Sequence, residues 1–325
     1  MNILLDVILP VFGIMLCGYL AGKFGIVSIS GSKSLNNYVF YVALPALLFL
    51  STATAPVEQL ANWGFVGINL GGIFISYILA VFIGKVIFKQ DLPSSSIYGM
   101  NVSYGTTGYM GIPLVIAAFG EKAALPAALA TLIHNIPVIT IVLLAIEFSK
   151  MAANREGKNA SKMLWGIFKP VIMSPLTISV TAGIMSAALN IKLPDFVKTF
   201  SKLLADASGP TALFALGLAL VGQIHLIKQS KINKSEIATI VILKLFFQPV
   251  ITCLLMIYVF QIDQLWGIVS VLMSALPVGA GVYVFAQKYE KLVKQTSIAI
   301  LISMFLSVVT VSGLLIFFGR QISLK

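Results

Sequence analysis

Charged residues are scarce in this chain, and acidic ones are the scarcest. Of 325 residues, 11 are Asp or Glu and 22 are Lys or Arg, while 58% are hydrophobic. A soluble domain carries roughly 25% charged residues and cannot hide so much apolar surface. The scarcity of charge therefore excludes an ordinary soluble fold and predicts a protein that lies mostly in a membrane.

Residues that serve catalysis or bind metals are also few. The chain has two histidines, and its two cysteines, Cys17 and Cys253, lie far apart inside apolar stretches without the spacing of a metal site. No paired carboxylates stand in the middle of an apolar stretch, and no GxxxxGK[ST] phosphate-binding motif is present. These absences argue against an intramembrane enzyme and against ATP hydrolysis by this chain. We expect no metal or other cofactor.

Long apolar runs fill the chain instead. Ten of them can cross a bilayer as helices, since backbone in lipid must satisfy its own hydrogen bonds. None alternates apolar and polar residues with a period of two, which argues against a β-barrel. We number these runs as segments 1 to 10: 4–22, 35–54, 63–88, 95–119, 124–149, 168–189, 197–227, 235–260, 264–287 and 293–319. The predicted fold class is an all-α membrane protein.

Lysine and arginine are distributed unequally between the two sides of these segments. The connections after segments 1, 3, 5, 7 and 9 hold 15 of them, and the opposite side holds 6. The positive-inside rule places the richer side in the cytoplasm, so the net charge of +11 indicates topology and not nucleic-acid binding. We expect both termini outside a cell inner or plasma membrane, and a cytoplasmic linker, 150–162, between two halves, 1–149 and 163–325.

Proline landmarks recur in the two halves. ALPALLF around Pro45 resembles GPTALFALG around Pro210, and YMGIPLV around Pro113 resembles SALPVGAGV around Pro277. The landmarks are 68 positions apart in the first half and 67 in the second. Because each half would hold an odd number of crossings, the halves would have opposite orientations. The spacing predicts two inverted five-helix repeats.

Segments 4 and 9 hold too many helix breakers for continuous helices. Segment 4 contains four glycines and Pro113, and segment 9 contains Pro277, Gly279 and Gly281. Broken helices occur at membrane depth only where the freed backbone groups meet protein, water or a ligand, unless these residues serve only kinks and close packing. Two half-helix N-termini aimed at one point would suit an anionic substrate. The candidate substrate-binding residues are Asn101, Thr106, Thr107, Gly108, Pro113, Pro277, Gly279, His134 and Asn135.

Two of the titratable residues inside predicted spans are candidates for a functional role. Lys244, in VILKLFFQPV, is costly unless it is paired, hydrated or able to reach the interface. It could compensate the charge of an anion, hold carbonyl groups at a helix break, or extend to the cytoplasmic interface. His134, beside Asn135 in TLIHNIPV, could couple transport to protons or contact substrate, or it could be a hydrogen-bonded packing residue.

Five stretches of the sequence carry a family resemblance: NNYVFYVALPALLF, GTTGYMGIPLV, GPTALFALGLAL, LKLFFQP and ALPVGAGVYVFAQKY. Together they resemble the auxin efflux carrier family, which joins plant PIN-type carriers to bacterial malate and malonate permeases. The resemblance implies a fold similar to sodium/proton antiporters and bile acid symporters, with segments 4 and 9 crossing as broken helices. It also implies a homodimer with a scaffold of segments 1, 2, 6 and 7 and a mobile transport unit of segments 3–5 and 8–10. Pro113 and Pro277 would line the substrate site, and Lys244 matches a basic residue that recurs in the family.

The chain departs from the family pattern beside the first break. Many relatives have Asn where this chain has Thr106, and plant carriers place a proline where it has Gly105. The sequence therefore favours a malate-like carboxylate over auxin as substrate. We expect a secondary carrier in the lipid bilayer that moves a small organic anion by alternating access, with H⁺ or Na⁺ as the possible coupling ion. The alternatives are an auxin-like aromatic carboxylate exporter and a transporter-like solute sensor without flux.

Overall fold

A computed structural model describes residues 9–56, 62–153, 165, 169, 172–227 and 233–323, which form a bundle of helices joined by short connections. The first half contains α1 Leu9–Lys23, α2 Gly31–Tyr38, α3 Leu44–Ala53, α4 Trp63–Val86, α5 Leu92–Ser103, α6 Ile112–Phe119 and α7 Ala124–Ala153. The second half contains α8 Pro175–Ala188, α9 Asp195–Ile227, α10 Lys234–Ile242, α11 Gln248–Tyr258, α12 Gln264–Ser274, α13 Ala280–Lys288 and α14 Val293–Ser323. The π-helical turns are Val39–Ala43, Thr107–Gly111 and Leu243–Phe247.

Six helices of the described residues are long and apolar enough to cross a membrane. They are Gly31–Ala53, Trp63–Val86, Glu121–Ile146, Asp195–Val221, Lys234–Tyr258 and Val293–Phe318. Shorter apolar helices are Leu9–Lys23, Thr107–Phe119, Pro175–Ala188 and Gln264–Ser274. The predicted all-α membrane class is confirmed, and helices overlap all ten predicted segments. Ten crossings in an inverted arrangement stay a prediction, and most of the predicted linker, 150–162, lies outside the described residues.

Close packing joins α1 to α9. A Cβ atom added at Gly217 would lie 1.9 Å from the carbonyl oxygen of Met15, and one added at Gly18 would lie 2.1 Å from that of Phe214. The two helices therefore approach as closely as only glycine permits, as small residues allow in membrane bundles. α8 and α9 also pack on α3, whereas α4 packs on α5, α7 and α11, and α10 packs on α14. Contacts also run between the two predicted groups of segments, from α9 to α14 and from α3 to α7, and the division into two moving bodies stays a prediction.

Aspartate caps fix the starts of α5 and α12. Asp91 accepts a hydrogen bond from the backbone N–H of Ser94 at 2.9 Å, and Asp263 accepts one from that of Leu265 at 2.9 Å. Lys291 Nζ lies 2.6 Å from Asp91 Oδ2, and this ion pair connects the start of α5 to the connection before α14. Burial disfavours the charged carboxylate, but the bonds from Lys291 and Ser94 outweigh it and hold the pKa of Asp91 below its usual value.

Equivalent points recur in the two halves at nearly one spacing. Asn62 and Asn233, which precede α4 and α10, are 171 positions apart. The caps Asp91 and Asp263 are 172 positions apart. The ends of α5 and α12, at Ser103 and Ser274, are again 171 positions apart. Pro113 and Pro277 are only 164 positions apart. The helix ends therefore support a repeat, but the proline alignment used for it was wrong by about seven residues.

Candidate functional site

Two helices are interrupted inside the buried core, as the clusters of glycine and proline predicted. α5 ends at Ser103, after which Tyr104 is extended, with φ −97° and ψ 112°. α12 ends at Ser274, and helix resumes only at α13. We call residues 104–106 and 275–279 the crossover. Helix resumes at Thr107 with the π-helical turn Thr107–Gly111, which runs directly into α6. The first break therefore lies several residues before Pro113, which stands inside this resumed helix, just after the π-helical turn.

The two breaks pair with each other across the crossover. Gly105 and Val278 form an isolated antiparallel bridge. The N–H of Thr106 donates to the carbonyl oxygen of Pro277 at 3.2 Å, and the N–H of Gly279 donates to that of Tyr104 at 3.0 Å. An antiparallel pair has a local twofold axis, which is the relation expected between inverted repeats. The structure therefore brings three of the candidate site residues, Thr106, Pro277 and Gly279, together, and their role in substrate binding stays a prediction.

Lys244 and Gln248 connect the crossover to a neighbouring helix, and we call this pair the clamp. The Lys244 ammonium donates to Gln248 Oε1 at 2.6 Å and to the carbonyl oxygen of Ser274 at 3.2 Å. Gln248 Nε2 donates to the carbonyl oxygen of Ser103 at 3.4 Å. Each carbonyl ends a helix and has no intrahelical partner, so one pair of side chains satisfies the C-terminal ends of both α5 and α12.

The position of Lys244 excludes one of its three predicted roles. Its side chain is 0% exposed, so the alternative in which it extends to the cytoplasmic interface is wrong. A Cβ atom at Gly105 would lie 3.2 Å from Nζ, which shows how closely the crossover backbone passes the ammonium. A cation beside two helix C-termini offsets their partial negative charge. This geometry fits a pin that holds carbonyl groups at the breaks. The sequence did not single out Gln248, although it stands one turn after Lys244.

Several buried polar atoms beside the crossover have no hydrogen-bond partner among the described residues. They are Oγ1 of Thr106, Oγ1 of Thr107 and Oδ1 of Asn101. The amide nitrogen of Asn101, Nδ2, is occupied, since it donates to the carbonyl oxygen of Ile97 and to Oγ1 of Thr296, both at 2.9 Å. An unpaired buried polar group is unfavourable by roughly 1–3 kcal/mol. These three oxygens are therefore available to a solute, an ion or water.

His134 belongs to a second buried group, formed by α7, α4 and α12. Its Nε2 lies 3.2 Å from Asn69 Oδ1, and Asn69 Nδ2 donates to Ser270 Oγ at 2.9 Å. Nδ1 of His134 and Oδ1 of Asn135 have no partner in the described part of the chain. Gly108 faces a different helix, since a Cβ atom there would lie 3.3 Å from Leu44 Cδ1. Asn69 carries no local sequence signal that marks it as a member of this group.

A cavity of about 840 Å³ separates α1, α3 and α9 from α6 and α12. Pro113 lines it and faces Gly209, whose added Cβ atom would lie 3.1 Å from the proline Cβ. The charged residues of the lining are Glu121, Lys122, Lys202, Asp206 and Asp263. They lie in or near connections that the basic-residue count predicts to be outside the cell. Of the nine candidate substrate-binding residues, Pro113 lines this cavity. The other eight candidates and Lys244 do not.

Known proteins resemble this chain over nearly its whole length. A family model described as "Membrane transport protein" matches residues 3–315. The chain is 32% identical over 310 residues to a Rhizobium meliloti (strain 1021) protein named "Putative malonate transporter", covering 95% of this chain and 93% of that protein. It is 26% identical over 321 residues to the uncharacterized transporter YfdV of Escherichia coli (strain K12), covering 97% and 98%. It is also 26% identical over 318 residues to the lysosomal cholesterol signaling protein of Mus musculus, covering 94% of this chain and 36% of that protein. The chain therefore belongs to the membrane transport protein family, the auxin efflux carrier family that its motifs resemble.

Proposed function

We propose that this chain is a secondary carrier that moves a small organic anion, with a malate-like dicarboxylate favoured, by alternating access at the crossover. The observation that carries the proposal is the pairing of two interrupted helices beside a buried ammonium group. Interrupted helices that cross near the middle of a membrane form the substrate sites of several transporter folds. The name of the Rhizobium meliloti relative supports a dicarboxylate.

The charges around the crossover favour an anion. Four helix ends meet there: the C-termini of α5 and α12, and the N-termini of the helices that resume at Thr107 and at Ala280. The C-termini carry partial negative charge and the N-termini partial positive charge. Because Lys244 lies at the C-terminal carbonyl groups, it offsets their negative charge and leaves the N-terminal field uncompensated. The free hydroxyls of Thr106 and Thr107 add hydrogen-bond donors for a carboxylate.

We further propose ten crossings in two inverted repeats, 1–149 and 163–325, with both termini outside the cell and the linker 150–162 in the cytoplasm. Segments 1, 2, 6 and 7 form a scaffold, and segments 3–5 and 8–10 form a transport unit that moves against it. The spacing of 171–172 positions and the twofold bridge support the repeats. The cavity lies between α3 and α9, which belong to the scaffold segments, and α6, which belongs to the transport unit. Its position therefore supports the division into scaffold and transport unit. A homodimer through the scaffold rests on the family resemblance.

Two alternatives keep the same fold. The cavity is larger than a malate-sized solute needs and has many apolar side chains, which favours an aromatic carboxylate as the cargo. The mouse relative is named for signaling, which favours a sensor that binds solute without moving it. Flux measurements separate both alternatives from the proposal.

The direct test is uptake into proteoliposomes that contain the full chain. Labelled malate, malonate and an aromatic carboxylate are compared, each with an imposed proton gradient, an imposed sodium gradient or neither. Gradient-driven or exchange-driven accumulation of the dicarboxylates supports the proposal. Saturable binding without flux favours the sensor, and flux of the aromatic acid alone favours the second cargo. If neither binding nor flux occurs with any of the three compounds, the proposed substrate class is wrong.

Replacement of Thr106 or Thr107 by valine separates substrate contact from folding. Valine has the shape of threonine without the hydroxyl, and neither hydroxyl has a partner in the described structure. We therefore expect an unchanged or slightly higher unfolding temperature, with KM for the transported anion raised about tenfold for one lost hydrogen bond to a charged group. Initial uptake rates against substrate concentration measure the effect. An unchanged KM in both variants would remove these hydroxyls from the site.

Replacement of His134 by alanine tests proton coupling. His134 is buried and contacts Asn69, so it is placed to sense a change in the packing of α4 against α7. If it takes part in coupling, the pH profile of uptake will shift or flatten in this variant. His225→Ala, at the other histidine of the chain, is the control and should keep the wild-type profile. A wild-type profile in His134→Ala would exclude the residue from coupling.

A further inference from the structure

A second hollow lies away from the crossover. It is a shallow groove of about 600 Å³ between α1, the start of α2 and the middle of α9. Ile14, Leu35, Pro210 and Phe214 give it apolar walls. The mostly apolar lining suits a hydrocarbon chain. The proposed transport mechanism does not use it.

The connection between α1 and α2 forms one end of this groove. Val27 and Gly31 line it, and hydrogen bonds such as that from the N–H of Gly31 to the carbonyl oxygen of Ser28, at 2.8 Å, hold the connection in shape. On its other face Phe24 and Ile26 are 70% and 77% exposed. Exposed aromatic and aliphatic side chains beside lysines are typical of segments that sit at a membrane surface. The groove therefore ends at the level where lipid headgroups lie.

Two cations that form no ion pair with any of the described residues flank the same connection. Lys23 ends α1, Lys33 lies in the first turn of α2, and both side chains are exposed. The sequence has no acidic residue between Asp6 and Glu58, so α1, α2 and α3 carry none that could neutralise them. This side is the predicted cytoplasmic side, where membranes expose anionic lipid. The charges here complement a negatively charged headgroup.

We infer that the groove binds one acyl chain of an anionic phospholipid, with Lys23 and Lys33 at its headgroup. Pro210 lines both this groove and the 840 Å³ cavity. A bound acyl chain would thus lie beside the cavity, on the neighbouring face of α9, where Thr211 and Phe214 line the groove. Lipid bound in this way supports α9 where a proline interrupts its hydrogen bonding. The inference does not depend on which solute, if any, the protein carries.

Native mass spectrometry of the purified full chain tests the assignment. The protein is freed of lipid in detergent and offered equal amounts of phosphatidylglycerol and phosphatidylcholine with identical acyl chains. We expect preferential retention of phosphatidylglycerol, with a preference of up to about fivefold for each lysine near the headgroup. The variant Lys23→Gln/Lys33→Gln should bring the ratio of the two lipids close to one. Both side chains are exposed, so this variant should fold normally.

Two further variants complete the design. Lys192→Gln/Lys198→Gln removes two exposed lysines near the start of α9 and should leave the preference unchanged. Thr211→Trp fills the groove and should reduce retention of both lipids. Equal retention of the two lipids by the wild-type protein, or a preference that survives Lys23→Gln/Lys33→Gln, would overturn the inference. Loss of a dimer in Thr211→Trp, with lipid retention unchanged, would assign the groove to a second copy of the chain instead.

Discussion

Replacement of Gly279 by alanine is expected to abolish transport and to lower the free energy of unfolding by about 1–3 kcal/mol, the usual cost of overpacking. The added Cβ atom would lie 2.5 Å from the ring of Tyr104 and 2.9 Å from the carbonyl oxygen of Gly105. Gly279 has φ −74° and ψ 138°, which alanine adopts freely. The effect therefore arises from contact alone, and it can be relieved only by separating the two breaks.

Gly313→Ala is the matched control for this variant. Gly313 lies inside α14, and a Cβ atom there would meet nothing within 4 Å. Alanine favours a helix over glycine by roughly 1 kcal/mol, so the control should keep transport and unfold at an equal or higher temperature. Both proteins are compared by thermal unfolding in detergent and by uptake into proteoliposomes. If Gly279→Ala behaves like Gly313→Ala, the crossover is not the tight contact that the proposed mechanism requires.

The sequence could predict the helical segments because hydropathy reports them directly. A lipid environment requires long apolar helices, and the described helices overlap each predicted segment. The interruptions were also predictable, because glycine and proline accumulate in segments 4 and 9. Their positions were less predictable. Pro113 was taken as a mark of the first break, but the break lies at residues 104–106, and Pro113 stands inside the helix that resumes at Thr107, just after a π-helical turn.

The partners of the site residues could not be predicted from local pattern. Lys244 was identified because a charge inside a span is costly wherever its partner lies. Gln248 and Asn69 are neutral, and such residues give no comparable signal in a single sequence. Their roles depend on contacts with Ser103 and with His134 and Ser270, which are distant along the chain. Only the packed fold brings these residues together.

Replacement of Lys244 by methionine is expected to abolish uptake and to destabilise the protein. Methionine fills similar space but donates no hydrogen bond, which leaves Gln248 Oε1 and the carbonyl oxygen of Ser274 without this donor. Each buried group without a partner costs roughly 1–3 kcal/mol. The expected result is a clear fall in unfolding temperature together with loss of flux. Lys85→Met, at an exposed lysine near the end of α4, should change neither.

Lys244→Gln separates the hydrogen bonds of this residue from its charge. The glutamine amide can still donate to the carbonyl oxygen of Ser274, so this variant should be more stable than Lys244→Met. It removes the positive charge that offsets the C-termini of α5 and α12, and uptake of the anion should therefore remain low. Near wild-type uptake by Lys244→Gln would show that a neutral donor is sufficient at the crossover. The electrostatic preference for an anion would then have to come from the helix N-termini at Thr107 and Ala280 and from the hydroxyls of Thr106 and Thr107, without a contribution from Lys244.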